Sequence, residues 1–196
     1  MKQGRYEICL SGSGGQGIIL AALVLAEAAG IFERREVCQS QSYGPEARGG
    51  TSKADVIISD EPIDYPKVIQ PDLLLSMNQE ACDTYFQYLK PEGLLVIDSS
   101  LVDQIPTKRV VAIPFTQIAR KVLRKEGAAN MVALGALGVL SQIISPKSLE
   151  GALMKRAPKG SEKINRKALH TGIKEAQRIN IKELPPLITK EEEEEI

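Results

Sequence analysis

The sequence predicts an α/β fold of three layers, with a mostly parallel sheet and a helical C-terminal part. Three observations predict it. Strand-like apolar runs alternate with helical segments through the first 113 residues. Two of those runs, Pro71–Met77 and Leu94–Asp98, are almost continuously apolar, the pattern of parallel strands buried on both faces. A glycine-rich turn follows the first run and opens a helix.

The first unit is the most informative. Tyr6–Leu10 reads as a strand, and the alanine-rich segment from about Gln16 to Ala29 as a helix. Between them lies Gly12-Ser13-Gly14-Gly15-Gln16-Gly17, in which Gly12, Gly14 and Gly17 fit G-x-G-x-x-G and make the turn Rossmann-like. Glycines admit positive φ and let backbone N–H groups approach an anion closely, and a helix N-terminus adds partial positive charge. A phosphate, pyrophosphate or carboxylate is the ligand class that suits such a turn. The same glycines also serve simply to make a tight strand-to-helix turn.

Arg35–Ser40 reads as a short second strand. A classical NAD site places an acidic residue at the end of that strand to hold the ribose hydroxyls. Here the position carries Gln39, Ser40, Gln41 and Ser42, which counts against NAD. Ser40 to Ser52 is expected to be a loop: Gly44-Pro45 and Gly49-Gly50 are strong breakers, and Ser42, Tyr43, Glu46, Ala47 and Arg48 complete it. Arg48 suits bidentate binding of phosphate or carboxylate, and a Tyr, Pro and Arg in a glycine-rich loop equally suit a protein contact.

Thr51–Ser59 follows as a strand centred on Val56, Ile57 and Ile58. Pro71–Met77 is a buried strand, and Asn78 is placed to cap a helix over Gln79–Leu89. Leu94–Asp98 and Val110–Ile113 are further strands. The second half turns helical: Thr116–Glu126, a break at Gly127-Ala128-Ala129-Asn130, then Asn130–Ile144 lined with Ala133, Gly135, Ala136 and Gly138 for close packing. Asn130 is placed to cap that helix or to reach a ligand. Ser145-Pro146 begins another helix, with Pro146 in its first turn. A basic helix spans about Ser161–Arg178. Residues 1–182 are expected to form one α/β domain, and 183–196 a proline-containing, mobile acidic tail ending in five glutamates and Ile196.

Composition narrows the function classes. The chain has 196 residues, with 25 Lys and Arg against 25 Asp and Glu, so no global charge draws it to nucleic acid or membrane. Aromatics are 4% with no Trp, too few for a base-stacking platform. No secretory leader is evident, and the longest apolar stretch, Met131–Leu140, is too short for a span of about 20 residues. A cytoplasmic protein is expected. Cys9, Cys38 and Cys82 form no C-x-x-C pair, so zinc and iron–sulfur signatures are absent and no metal site is expected. The lone His170 reads as a surface residue, and no catalytic residue is identified.

Taken together, the glycine turn, Ser42-Tyr43-Gly44-Pro45-Glu46-Ala47-Arg48-Gly49-Gly50, Asp72-Leu73-Leu74-Leu75 and Asn130-Met131 with Leu134-Gly135 resemble the gamma subunit of the 2-oxoacid:ferredoxin oxidoreductases, over roughly residues 4–180. The same unit is one domain of longer pyruvate enzymes. The wording of the second motif on a small separate chain is most like the 2-oxoglutarate branch, with pyruvate and branched-chain 2-oxoacid branches open.

The resemblance implies a part of an enzyme: CoA-dependent oxidative decarboxylation of a 2-oxoacid to an acyl-CoA (succinyl-CoA from 2-oxoglutarate). Thiamine diphosphate, Mg and the iron–sulfur clusters would lie on partner chains. Those partners are alpha, beta and, where a fourth chain exists, a ferredoxin-like delta subunit, with ferredoxin as electron acceptor. The isolated chain is expected to be inactive, and a homodimer of it is allowed. Gly12, Ser13, Gly14, Gly15, Gln16, Gly17, Arg48 and Asn130 are then the candidate cofactor-binding residues, with coenzyme A the ligand considered. Ser42, Tyr43, Gly44, Pro45, Glu46, Arg48, Gly49 and Gly50 form the candidate interface or ligand loop. Two other classes compete: an NAD(P)-dependent dehydrogenase acting alone, and a non-enzymatic dinucleotide-binding module.

Overall fold

The computed structural model describes residues 4–43 and 51–186. Six strands form one sheet in the order β2-β3-β1-β4-β5-β6. They are β1 (Tyr6–Ser13), β2 (Glu36–Tyr43), β3 (Thr51–Ser59), β4 (Leu73–Ser76), β5 (Leu94–Asp98) and β6 (Val110–Ile113). The ladders β1–β4, β4–β5 and β5–β6 are parallel. Those of β3 with β1 and with β2 are antiparallel, so the sheet is mixed and every strand but β3 points the same way.

The helices are α1 (Ile18–Glu27), α2 (Gln79–Tyr85), α3 (Phe115–Lys121), α4 (Ala129–Ser141), α5 (Pro146–Arg156) and α6 (Glu162–Ala176). Strand periodicity divides the core. Ile8, Leu10, Val56, Ile58, Leu73, Leu75, Val96, Val111 and Ile113 face the large layer built on α1, α3, α4, α5 and α6. Cys9, Leu74, Leu95 and Ile97 face a smaller cluster with Cys82 of α2, Leu89 and Val102. The central strands β4 and β5 are covered on both sides, and each of their residues is buried. That is why they read as unbroken apolar runs.

Several boundaries differ from the expected ones, for identifiable reasons. β1 runs on to Ser13 because Ser11–Ser13 pair with Lys53–Thr51. Ser40–Tyr43 belong to β2 rather than to a loop, since their backbone pairs with Asp55–Ser52. β2 lies at the sheet edge, where the ladder satisfies the backbone whatever the side chains, so a polar Gln-Ser-Gln-Ser run is tolerated. α1 ends in a π-helical turn, Ala28–Phe32, and α2 gives way to a 3-10 turn, Phe86–Tyr88. The predicted helix over 116–126 is shorter, α3 ending at Lys121 before a 3-10 turn at Glu126–Ala128. α4 stops at Ser141, where Gln142 turns left-handed at φ 57°.

The small residues of α4 do what their size suggests. A Cβ at Gly135 would strike the Leu169 carbonyl of α6, and one at Gly172 of α6 would strike the Val132 carbonyl of α4. The two helices therefore pass with backbones in contact. Among the described residues the chain stays attached beyond 182: Leu184 packs against the core, and the Arg109 guanidinium donates to the Leu184 and Pro185 carbonyls at 3.4 and 3.3 Å. No helix among the described residues is long and apolar enough to cross a membrane.

Candidate functional site

Connections leave β1 and β4 in opposite directions: β1 leads through α1 to β2 and β3, β4 through α2 to β5. α1 and α2 lie on opposite faces of the sheet. The carboxyl ends of β1 and β4 thus form a topological switch point, where open α/β sheets leave a crevice for ligands. The glycine turn occupies it.

Side chains fasten the turn from every side. Gln16 closes it: its Oε1 accepts from the Ser13 N–H at 2.7 Å, and its Nε2 donates to the Met77 carbonyl beyond β4 at 3.1 Å. Asn78 caps α2 as expected, its Oδ1 accepting from the Ala81 N–H at 3.0 Å, and its Nδ2 also donates to Ser13 Oγ at 2.5 Å. Ser52 of β3 donates to the Gly12 carbonyl at 3.2 Å. A Cβ at Gly12 would lie 2.5 Å from Gln16 Oε1 and 3.1 Å from Met77 Cβ, so a side chain there would displace the Gln16 amide that closes the turn. Gly17, left-handed at φ 73°, starts α1.

Asn130 is 5% exposed and lies inside α4 rather than at its cap. Its Nδ2 donates to the Gly17 carbonyl at 3.0 Å and its Oδ1 accepts from the Met131 N–H at 2.9 Å. The residue before α4 is Ala128, which offers no capping side chain. Asn130 is thus a tie between α4 and the turn. Asn78, Met77 and Ser52 are parts of this site that sequence reasoning did not single out for it; only the capping signal of Asn78 was visible.

What remains open is backbone. The Gln16 N–H is bonded to the Ser13 carbonyl at 3.2 Å, while the amides of Gly14, Gly15 and Gly17 have no partner among the described residues. Gly14 and Gly15 are exposed, and a Cβ at either would meet nothing. Beside them a crevice of about 140 Å³ is lined by Gly15, Gln16, Met77, Leu101, Thr116, Glu126, Gly127 and Ala129. Glu126 at its rim is held below the ordinary carboxylate range by its hydrogen bond and ion pair with Arg120. Asp98, at the end of β5, is fully buried and spent internally, accepting from Thr116 N–H and Oγ1 at 2.9 and 2.5 Å and from the Ser100 N–H at 3.0 Å.

Gly44, Pro45, Glu46, Ala47, Arg48, Gly49 and Gly50 lie outside the described residues. Ser42 is exposed at the end of β2, paired in register with Lys53. β3 separates β2 from β1, so the end of β2 is two strands away from the glycine turn. In a classical NAD unit the two strands are neighbours, and that arrangement is not present here. His170 is at the surface, 2.9 Å from Glu150. Cys9 and Cys82 are buried free thiols and Cys38 is half-buried. Among the described residues no cluster of three His, Cys, Asp or Glu is arranged to hold a metal.

Comparison with known proteins bears directly on this geometry. The profile of the family "Pyruvate ferredoxin/flavodoxin oxidoreductase" matches residues 7–175. The 2-oxoglutarate synthase subunit KorC of Methanocaldococcus jannaschii is 48% identical over 179 residues, covering 89% of this chain and 96% of that one. The crystal structure of a keto/oxoacid ferredoxin oxidoreductase gamma subunit from Geobacter sulfurreducens superposes with a TM-score of 0.83 at 44% identity, covering 90% of this chain and 98% of that one. The 2-oxoglutarate:ferredoxin oxidoreductase of Magnetococcus marinus, solved with 2-oxoglutarate, coenzyme A and succinyl-CoA, matches with a TM-score of 0.77 at 26% identity, over 96% of this chain but 33% of that one. A ketoisovalerate oxidoreductase subunit VorA (37% identical over 132 residues) and a pyruvate synthase subunit PorC (30% over 179), both from Methanothermobacter thermautotrophicus, are more distant. The resemblance to gamma subunits read in the sequence holds, and the chain belongs to the pyruvate ferredoxin/flavodoxin oxidoreductase family.

Proposed function

We propose that this chain is the gamma subunit of a 2-oxoglutarate:ferredoxin oxidoreductase, catalysing with its partners the CoA-dependent oxidative decarboxylation of 2-oxoglutarate to succinyl-CoA. The observation that carries this reading is the 48% identity to a 2-oxoglutarate synthase subunit across nearly the whole of both chains. It exceeds the 37% and 30% identities to the ketoisovalerate and pyruvate relatives. Thiamine diphosphate, Mg and the iron–sulfur clusters belong to the alpha, beta or delta partners in this reading, and ferredoxin takes the electrons. The complex is cytoplasmic.

This chain's own contribution is a wall at the switch point. The amides of Gly14, Gly15 and Gly17, unpartnered among the described residues, and the N-terminus of α1 suit the pyrophosphate of coenzyme A. Gln16, Asn78 and Asn130 orient those amides without being consumed by the ligand. Arg48 and its loop, Ser42 to Gly50, serve the same ligand or the subunit contact.

The test is purification of the native complex through this chain, with assay of viologen reduction by 2-oxoglutarate, pyruvate and 2-oxoisovalerate in the presence of CoA. Thiamine-binding and iron–sulfur chains should co-purify, with 2-oxoglutarate the best substrate. A chain that emerges alone, or a complex that prefers another 2-oxoacid, overturns the reading at the corresponding level. Arg48→Ala is expected to lower activity or loosen the complex; a variant normal in both removes Arg48 from the site.

A further inference from the structure

The crevice beside the glycine turn is shared by two segments: Gly15 and Gln16 of the turn, and Glu126 and Gly127 of the chain before α4. At about 140 Å³ it is smaller than the roughly 300–1,000 Å³ of an ordinary small-molecule site, so it takes one part of a larger ligand. The run that leads into Glu126 is strongly basic. Arg120, Lys121, Arg124 and Lys125 put four cations in six residues, in a chain whose charges otherwise balance. The run is also held in place. Leu123 is buried in the core, the Lys125 N–H donates to the Ala119 carbonyl at 3.0 Å, and the Ala128 N–H donates to the Lys125 carbonyl at 3.0 Å.

We propose that Arg120 selects the 3′-phosphate of coenzyme A, which takes the place of the Glu126 carboxylate on its guanidinium. The proposal rests on the reading of the glycine turn as the pyrophosphate site and adds the other anionic group of the same molecule.

Coenzyme A carries two separate anionic groups, a pyrophosphate and a phosphate monoester on the ribose. The open amides of the turn suit the first. The second calls for a cation at the edge of the same crevice, and Arg120 is already there with an anion in its grip. Its Nη2 lies 3.0 Å from Glu126 Oε1 and its Nε donates to Oε2 at 3.1 Å. That two-pronged pairing is the geometry a guanidinium also offers to phosphate. Glu126 lines the crevice, so its carboxylate marks where an anion rests against Arg120.

The exchange is favoured by charge. Arg120 and Glu126 are 64% and 59% exposed, so solvent screens their pair and little is lost in parting it. A phosphate monoester brings roughly −1.5 to −2 charge at pH 7 and three acceptor oxygens, against the single charge of a carboxylate. Lys121, Arg124 and Lys125, all exposed, strengthen the attraction without forming a fork. Glu126 left in place would repel the ligand, so its displacement is part of binding.

The experiment uses the assembled enzyme, assayed with CoA and with dephospho-CoA, which lacks only the 3′-phosphate. The parent should show the lower KM for CoA. Arg120→Ala should raise the KM for CoA about tenfold and leave that for dephospho-CoA unchanged, with Arg120→Lys recovering part of the loss. Glu126→Gln, which keeps the shape and removes the competing charge, should lower the KM for CoA several-fold and that for dephospho-CoA less. Cations in the last turn of α3 also complement its dipole, but that role would move stability and not the ratio of the two KM values. Equal KM values in the parent, or a ratio unaltered in Arg120→Ala or in Glu126→Gln, overturns the subsite. In that case the pyrophosphate site still stands if Gly14→Ala raises both KM values. A Gly14→Ala enzyme with both values unaltered overturns the pyrophosphate site, and the proposal that rests on it.

Discussion

The side-chain amide of Asn130 donates to the carbonyl of Gly17 at 3.0 Å, joining residues 113 apart in sequence. Gly17 begins α1 and Asn130 lies in the first turn of α4, so one hydrogen bond holds both helices to the glycine turn. A Cβ at Gly17 would run into the Asn130 amide nitrogen.

Asn130→Ala is therefore expected to cost about 1–3 kcal/mol: the Met131 N–H loses its acceptor, the Gly17 carbonyl keeps only the Ala21 N–H, and a small cavity is left. Gly17→Ala should cost more, because it adds a left-handed φ of 73° to the collision. Urea midpoints of the two variants give the order. A Gly17→Ala variant as stable as the parent would mean that Asn130 swings aside freely.

Gly14 separates ligand binding from packing. It is exposed, its φ is not in the left-handed range and a Cβ there meets nothing, so Gly14→Ala should leave stability unchanged. If the turn approaches CoA, that methyl group raises the apparent KM for CoA several-fold, roughly 1–2 kcal/mol of lost contact. Gln16→Ala should do the same and also destabilise the fold, since it frees the Ser13 N–H and the Met77 carbonyl at once. A Gly14→Ala enzyme with unaltered KM for CoA would place the ligand elsewhere.

The thiols should differ sharply in reactivity. Burial, reinforced by the charge of Asp55, holds the Cys9 thiol well above the ordinary value of 9.0, and burial followed by Asp83 raises Cys82 in the same direction. Cys38 is half-buried and should react first with a disulfide reagent near neutral pH, with Cys9 and Cys82 following only on unfolding.

The same shifts give a sign for stability against pH. With folded values above 9.0, the unfolded chain ionises its thiols first as pH rises, so their contribution is intact below about pH 9 and lost above it. Lys53 acts likewise higher on the scale. Burial alone would lower it, but the hydrogen bond and charge of Asp55 raise it above 10.5, so its share is present below that value and lost as pH climbs through the folded one. Unfolding midpoints should fall on the alkaline side, and Cys9→Ser should blunt the earlier part of that fall.

The α4–α6 contact predicts a third kind of failure. Gly135→Ala and Gly172→Ala each place a methyl group into a facing backbone carbonyl, which cannot move like a side chain tip. Each should cost about 1–3 kcal/mol or more by overpacking. A thermal midpoint equal to the parent's for either variant would show that the helices slide apart without cost.

Sequence alone determined the class of this protein and most of its parts. Local signals suffice where a residue's neighbours in the chain set its state. Thr51–Ser59, Leu94–Asp98 and Val110–Ile113 fall where their apolar runs lie, Asn78 and Ser145 cap the helices after them, and the glycines mark the turn. The combination of the glycine turn with the Gly-Pro-Glu-Ala-Arg-Gly-Gly segment also pointed to the family that the comparisons support. Tertiary structure decided which groups meet. The antiparallel insertion of β3 between β2 and β1 has no local signature, because ladder pairing is made by backbone common to all residues. It moved Gln41–Tyr43 from loop to edge strand and parted that strand end from the turn. Asn130 reads in the sequence as placed to cap α4 or to reach a ligand, and nothing near it in sequence shows that its amide bonds Gly17; only the packing of α4 against α1 brings the two within 3.0 Å.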